Sequence, residues 1–227
     1  VKQKLAVCYP GDMPTFHASA IESILNIRLP ESFETRWIRG LGWCQARRRI
    51  NAAEKAIAWG ADLIASFDMD QVYEPDVLER LTARIEEGYG CVAALVPSRG
   101  KSPSLPSPFQ GMGWRLGENG DFIPVTREDG DMVAAEFSTH GCCIFRASDI
   151  QRLQQPWYTY KYDEKNWQEI EGEDSRFFLR MNRELKVDTW IDTTIKIKHC
   201  HLFQIDETFK ERFPDWKPGE QGSGYGG

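Results

Sequence analysis

The first hundred residues of this chain alternate two kinds of segment, and that alternation restricts the fold more than any single residue does. Residues 4–9 are a short apolar run that stops at Pro10-Gly11. Residues 17–28 then place Ile21, Ile24, Leu25 and Arg28 at helical spacing. Residues 33–38 are aromatic and β-branched, residues 44–59 repeat Ala and Ile at helical intervals as far as Gly60, and residues 61–67 are apolar again. Residues 75–87 carry proline at the start and are followed by Gly88, the asymmetry of a helix. Residues 90–96 close the series as another apolar run. Short apolar runs separated by helix-length amphipathic segments predict an α/β fold with a doubly wound, mostly parallel sheet.

The second half breaks this rhythm. Residues 97–108 hold four prolines, four serines and the bases Arg99 and Lys101, which predicts a loop. Residues 114–125 predict a hairpin around Asn119-Gly120. Strands are expected at 134–138 and 142–145, on either side of His140-Gly141, and a short helix at 148–155 capped by Ser148. Residues 155–168 form a loop rich in aromatic residues, with Trp157, Tyr158, Tyr160, Tyr162 and Trp167. Such rings can stack on sugars or pack the loop onto the core. Residues 173–185 predict a helix with Phe178, Met181 and Leu185 on one stripe, followed by short strands at 186–190 and 194–200. These pieces add an antiparallel hairpin region to one domain, expected over residues 1–218, with a flexible Gly-rich tail at 219–227.

Size and charge narrow the chemistry. A chain of 227 residues buries about 70% of its unfolded surface and needs no staple to fold. Its six cysteines form no C-x-x-C pair, which predicts reduced thiols and a cytoplasmic protein. The apolar stretch of residues 5–9 falls short of the core of a leader peptide, and the start at Val1 fits a processed chain or a piece of one. No apolar run approaches the ~18 residues of a membrane span, so no transmembrane segment is expected. With 34 acids against 28 bases, the net charge is −6, which argues against nucleic acid as a partner. A small diphosphate is still compatible, because a bound cation can supply the positive charge.

The sharpest chemical feature is Ala65-Ser66-Phe67-Asp68-Met69-Asp70, an apolar run that ends in two acids. Open α/β sheets bind ligands at the carboxyl ends of their strands. In extended backbone Asp68 and Asp70 share a face, where a divalent ion between them relieves their repulsion. The same three residues also suit a polar turn before the next helix. Gly172-Glu173-Asp174 opens a predicted helix, where the macrodipole favours carboxylates. That is ordinary capping, or a general base on a rigid element. Lys198-His199-Cys200-His201 places both histidines on one face of a strand, and one of them could join Asp68 and Asp70 at an ion. Arg47-Arg48-Arg49 is a solvated helix end, or a source of a phosphate contact through Arg47. Arg99 has the same two readings. Gly40-Leu41-Gly42 lacks the third glycine of a dinucleotide fingerprint, and the chain has no G-x-x-x-x-G-K-[ST] loop and no G-x-S-x-G elbow.

The order of these motifs resembles GT-A fold glycosyltransferases, especially family 2-like members. The matching segments are Gln45-Ala46-Arg47-Arg48, the run from Ala61 to Asp70, His140-Gly141-Cys142-Cys143-Ile144-Phe145-Arg146, and the run from Asp192 to His199. The resemblance covers about residues 5–202. It implies a nucleoside-diphosphate-sugar donor, UDP- or GDP-linked, an acceptor hydroxyl that is not identified, and a divalent cation, Mn2+ or Mg2+. By the same resemblance Asp68 contacts the donor's ribose or the metal, Asp70 binds the metal, and His199 is a further ligand. Asp174 matches the base of inverting members, with Glu173 beside it. Pro10 and Asp12 lie in the loop that would hold the nucleobase, and Arg47, Arg99 and Gly141 complete the expected donor contacts. Two departures stand out: the family's Arg-Asn pair is Arg47-Arg48 here, and only Glu31 or Glu34 could replace the acid common after the second strand. The expected activity is sugar transfer with inversion. Its rivals are a nucleotidyltransferase, which usually has a Gly-rich basic loop where this chain has Cys8-Tyr9-Pro10-Gly11-Asp12, and a non-catalytic nucleotide- or sugar-binding module.

Overall fold

The computed structural model describes residues 2–11, 17–98, 111–165 and 168–200. In chain order the elements are β1 (Gln3–Pro10), α1 (Ala18–Leu25), β2 (Phe33–Gly40), α2 (Gln45–Trp59), β3 (Leu63–Phe67), β4 (Gln71–Val72), α3 (Val77–Glu86) and β5 (Cys91–Ala94). There follow β6 (Gly113–Leu116), β7 (Phe122–Pro124), β8 (Met132–Ala135), β9 (Phe137–Ser138), β10 (Cys142–Arg146) and α4 (Ala147–Arg152). The last are β11 (Lys161–Tyr162), β12 (Glu169–Glu171), α5 (Glu173–Leu185), β13 (Thr189–Asp192) and β14 (Lys198–His199).

Seven strands form one sheet in the order β2-β1-β3-β10-β5-β13-β8. β1 runs parallel to β2 and β3, and β5 parallel to β13. β10 enters between β3 and β5 antiparallel to both, and β8 closes the far edge antiparallel to β13. The sheet is therefore mostly parallel, and the hairpin β6–β7 with β9 forms a small antiparallel sheet beside it.

The central strands are apolar throughout because both faces are covered. Along β1, Leu5 and Val7 join the layer of α1 and α3, while Ala6 and Cys8 join the layer of α2, α4 and α5. Ile64 and Cys143 point to the second layer, and Ala65 and Ile144 to the first. Helix α5 contributes Phe177, Phe178 and Met181, all fully buried. Each such side chain contributes about 1.5–3 kcal/mol by its burial. The carboxyl ends of β1, β2, β3, β5 and β13 thus share one pole of a sheet fixed on both faces.

Several boundaries differ from the sequence reading for local reasons. Helix α4 begins at Ala147 after Arg146, so Ser148 lies inside its first turn and does not cap it. The strand expected at 186–190 starts only at Thr189, because Lys186 takes the left-handed conformation (φ 60°) that closes α5, with Val187 N–H donating to Met181 O. Within 194–200 only Lys198–His199 is strand, since the Asp192 carboxylate accepts from the Thr194 N–H and turns the chain. The hairpin closes through Gly117–Asp121, with Gly120 at φ 83°. The six cysteines are all free thiols. The tail 219–227, most of the loop at 97–108, and Asp12, Arg99, Trp167 and His201 lie outside the described residues.

Candidate functional site

Strand β3 delivers the first acid to the carboxyl pole and then stops. Residues 68–70 form a turn, with the Asp68 N–H donating to Gly141 O at 2.9 Å. Asp68 and Asp70 therefore do not alternate across one face as extended backbone would place them. The turn is pinned from below by Tyr73, whose ring stacks on Phe67 at 4.6 Å. Its hydroxyl lies 2.5 Å from Asp68 O and 2.9 Å from Gly141 O. At Gly141 a Cβ would stand 2.0 Å from Gln71 Nε2, so any side chain there would displace the buried Gln71 amide.

Asp70 faces β14. The imidazole of His199 lies with Nε2 3.5 Å from Asp70 Oδ2 and Nδ1 2.8 Å from Pro97 O. A carbonyl can only accept, so Nδ1 carries the proton of that bond. Nε2 is thereby the ring nitrogen turned toward the Asp70 carboxylate. This tautomer-fixing contact is the one metal-binding histidines commonly make. The main chain closes the same corner, with Cys200 N–H donating to Asp70 O.

Asp68 faces the other way, toward α2. Arg49 is buried, and its guanidinium spreads three contacts: Nη2 to Asp68 Oδ1 at 3.2 Å, Nη1 to Ser66 Oγ at 3.2 Å, and Nε to Glu173 Oε1 at 3.5 Å. Glu173 and Asp174 stand in the first turn of α5. One cation thus touches two acids and feels the charge of a third, Asp174. Burial works against the charged guanidinium, but Asp68, Glu173 and Asp174 more than offset it and hold Arg49 above its ordinary value. Asp174 bears the excess: burial first, then the neighbouring Glu173, pushes its carboxyl from 3.8 up to about 6, against the opposing pull of Arg49.

Behind Arg49 lies an aromatic wall. His140 is fully buried, stacked on Phe178 at 4.8 Å and edged by Phe177 and Tyr158 at 4.6 and 4.9 Å. Burial and then Arg49 hold it well below its ordinary value, so the ring is neutral and adds no second cation. A narrow cleft opens between β1, β3 and α2, lined by Cys8, Tyr9, Pro10, Arg49, Ser66 and Tyr158.

The structure brings together Asp68, Glu173 and Asp174 through Arg49, and Asp70 with His199 through the β4–β14 pair. Among the described residues, no three His, Cys, Asp or Glu side chains gather in a way that could hold an ion, because Asp68 and Asp70 turn to different partners. Pro10 lines the cleft. Arg47 stays exposed, 3.8 Å from Glu54. The residue that sequence reasoning missed is Arg49. Its signal was present: it stands three residues after Ala46 and four before Ala53, on the inward stripe of α2.

Among the described residues, no helix is long and apolar enough to cross a membrane. No protein-family model matches the chain, and no curated protein does at the level of sequence. Solved structures of similar shape include A197 from STIV, 15% identical, with a TM-score of 0.56 over 90% of this chain and 87% of that one. They also include GalNAc-T7 with UDP, GalNAc and Mn2+, 10% identical, with a TM-score of 0.56. That match takes in 88% of this chain but 44% of GalNAc-T7, so the chain spans less than half of that protein's length. At these identities the likeness is one of fold, and the fold is a GT-A-like α/β domain.

Proposed function

We propose that this chain is an inverting, metal-dependent glycosyltransferase that moves a sugar from a UDP- or GDP-linked donor to an acceptor hydroxyl. The observation that carries the proposal is the His199 ring, fixed by Pro97 O so that Nε2 addresses Asp70 at 3.5 Å. An imidazole and a carboxylate suit a Mn2+-like ion. The fold likeness to a protein solved with UDP, GalNAc and Mn2+ agrees with this choice. Held by Asp70 and His199, Mn2+ or Mg2+ would stabilise the negative charge of the departing diphosphate.

The chain's own residues do the rest. The carboxyl end of β1 at Tyr9 and Pro10 addresses the nucleobase, and Asp68 addresses the ribose. Arg49 fixes Asp68 and Glu173 in one rigid unit, so the donor side and α5 keep their spacing. Asp174 takes the proton of the acceptor hydroxyl as that oxygen attacks the anomeric carbon and the diphosphate leaves. A carboxyl near 6 is mostly ionised at neutral pH yet basic enough for the task. All six cysteines are free, which suits a reducing compartment such as the cytoplasm.

Calorimetry with UDP, GDP and CDP, with and without Mn2+, tests the reading. One nucleotide is expected to bind in a metal-dependent way, and His199→Ala is expected to weaken that binding tenfold or more. Metal-independent binding, or none, would overturn it.

A further inference from the structure

The loop between β2 and α2 carries the most exposed aromatic side chain among the described residues. Trp43 is 87% exposed, and Leu41, two residues away, is 46% exposed. Neither belongs to the cleft or to the acid cluster. Both sit at the carboxyl end of β2, the edge strand of the large sheet, on the same pole as Asp68.

The loop is built on arginines. A Cβ at Gly42 would stand 2.8 Å from Arg47 Cγ, so the Arg47 stem packs directly beneath the loop. Arg48 Nε donates to Gly42 O at 3.0 Å. Arg39, at the end of β2, holds Gly11 O, and Lys55 Nζ donates to Arg39 O at 2.9 Å. The whole β2–α2 unit, residues 33–59, has six bases against two acids in a chain whose net charge is −6. Of those bases Arg39, Arg47 and Lys55 are exposed toward this end, with Arg47 3.8 Å from Glu54, whereas Arg36 lies over Trp59 at the far end of α2. An aliphatic and an indole side chain therefore project beside a basic cluster, with Arg47 and Arg48 against the loop and Arg39 and Lys55 at the end of β2, on an otherwise acidic molecule.

We infer that this tip docks on an anionic lipid bilayer. The charge arrangement is what selects that partner. Indole sits at the level of the headgroups, an aliphatic neighbour reaches past it, and arginine and lysine meet anionic lipid phosphates at the same depth. Nucleic acid would use the cations and the indole but has no use for Leu41. The inference goes beyond the proposed sugar transfer and does not depend on it. A bilayer engaged by the tip lies along the rim of the pole that carries Asp68.

The test is flotation of the whole chain with phosphatidylcholine vesicles, with and without phosphatidylglycerol. Binding is expected only to the anionic vesicles and is expected to weaken sharply as salt rises, since each cation near the surface is worth about fivefold in affinity. The double variant Leu41→Ser/Trp43→Ser is expected to lose about tenfold or more at low salt. Both side chains are exposed, so its thermal unfolding should match the parent's, and circular dichroism verifies that control. A conservative Trp43→Phe variant should retain most of the binding. No binding to anionic vesicles would overturn the inference, as would binding that the double variant leaves unchanged. Retention of single-stranded RNA in place of vesicles would also overturn it.

Discussion

Two arginine–carboxylate networks stand at the carboxyl pole of the sheet, and the acids buried in them are answered differently. In the first, one acid has two arginines. Asp192 is fully buried, with Arg84 Nε at 3.0 Å, Arg80 Nη2 at 3.8 Å and the Thr194 N–H at 3.0 Å. Arg80 also holds Glu74, whose carboxylate accepts from the Lys196 N–H, and Arg84 also holds the exposed Glu87 at 2.9 Å. In the second, one arginine touches two acids, Asp68 and Glu173, and feels the charge of a third, Asp174. The first network ties α3 to the turn leading to His199, and its buried acid is fully answered. The second is short of positive charge, and Asp174, buried beside Glu173, is the acid whose carboxyl is pushed up. A buried ion pair says little about function. An imbalance that only a proton, a metal or a ligand can correct says more.

The largest expected effect tests the deficient network. Asp174→Asn should lower transfer about 10²–10⁴-fold while donor binding persists. Its stability should move the other way. The carboxyl sits at about 6 in the folded chain against an ordinary 3.8, so the folded state holds a proton that the unfolded chain releases. The stabilisation from that proton is complete below the ordinary value and is lost as pH rises through about 6. Asparagine has nothing to lose. The variant should therefore melt higher than the parent at pH 7, and the gap should close toward pH 4. Melting curves at both pH values decide it. A variant that melts lower at pH 7 would erase the contrast between the two networks.

Next in size is Arg49→Met. It strands Asp68 and Glu173 without their guanidinium, and breaking a buried pair from one side costs about 3–5 kcal/mol. The stranded acids can recover part of that by taking up protons. Denaturant midpoints should thus fall further at pH 8 than at pH 5. Equal losses at both would show that Arg49 packs rather than balances charge.

Asp192→Ala should cost less, about 1–3 kcal/mol, although its acid is the more deeply buried. The arginines it leaves behind are 27% exposed and can turn to water. Melting should fall, yet the pH at which transfer is half-maximal should stay near that of the parent, because no group near Asp174 has changed. A moved pH midpoint would join the two networks into one.

The same contrast explains what the sequence could reveal. The α5 boundaries and the β1-to-β5 alternation were legible because propensity, burial and caps agree there, as in the left-handed Gly60 that ends α2. The antiparallel entry of β10 was not, since Cys142–Arg146 is an apolar run whose choice of neighbours is decided by the whole sheet. Acids after strands and at a helix start can be read locally. Their partners cannot, because Asp68 meets Arg49 across 19 residues and His199 meets Pro97 across 102. The turn at residues 68–70 also depends on Gly141 and Tyr73, which local reading cannot place beside it.

Arg47 and Arg49 give the smallest prediction and the most direct one. They are two residues apart on one helix, and a motif match favours Arg47. The helix turns Arg49 inward among acids and leaves Arg47 on the surface, 3.8 Å from a half-exposed Glu54. An exposed pair at that distance is worth about 0.5 kcal/mol or less. Arg47→Ala should therefore melt within a degree or two of the parent. Its nucleotide affinity in the presence of Mn2+ is the informative reading. Little change would leave Arg49 as the arginine on which the donor side depends. A loss beyond tenfold would mean that Arg47 leaves Glu54 and swings from the helix surface to the phosphates.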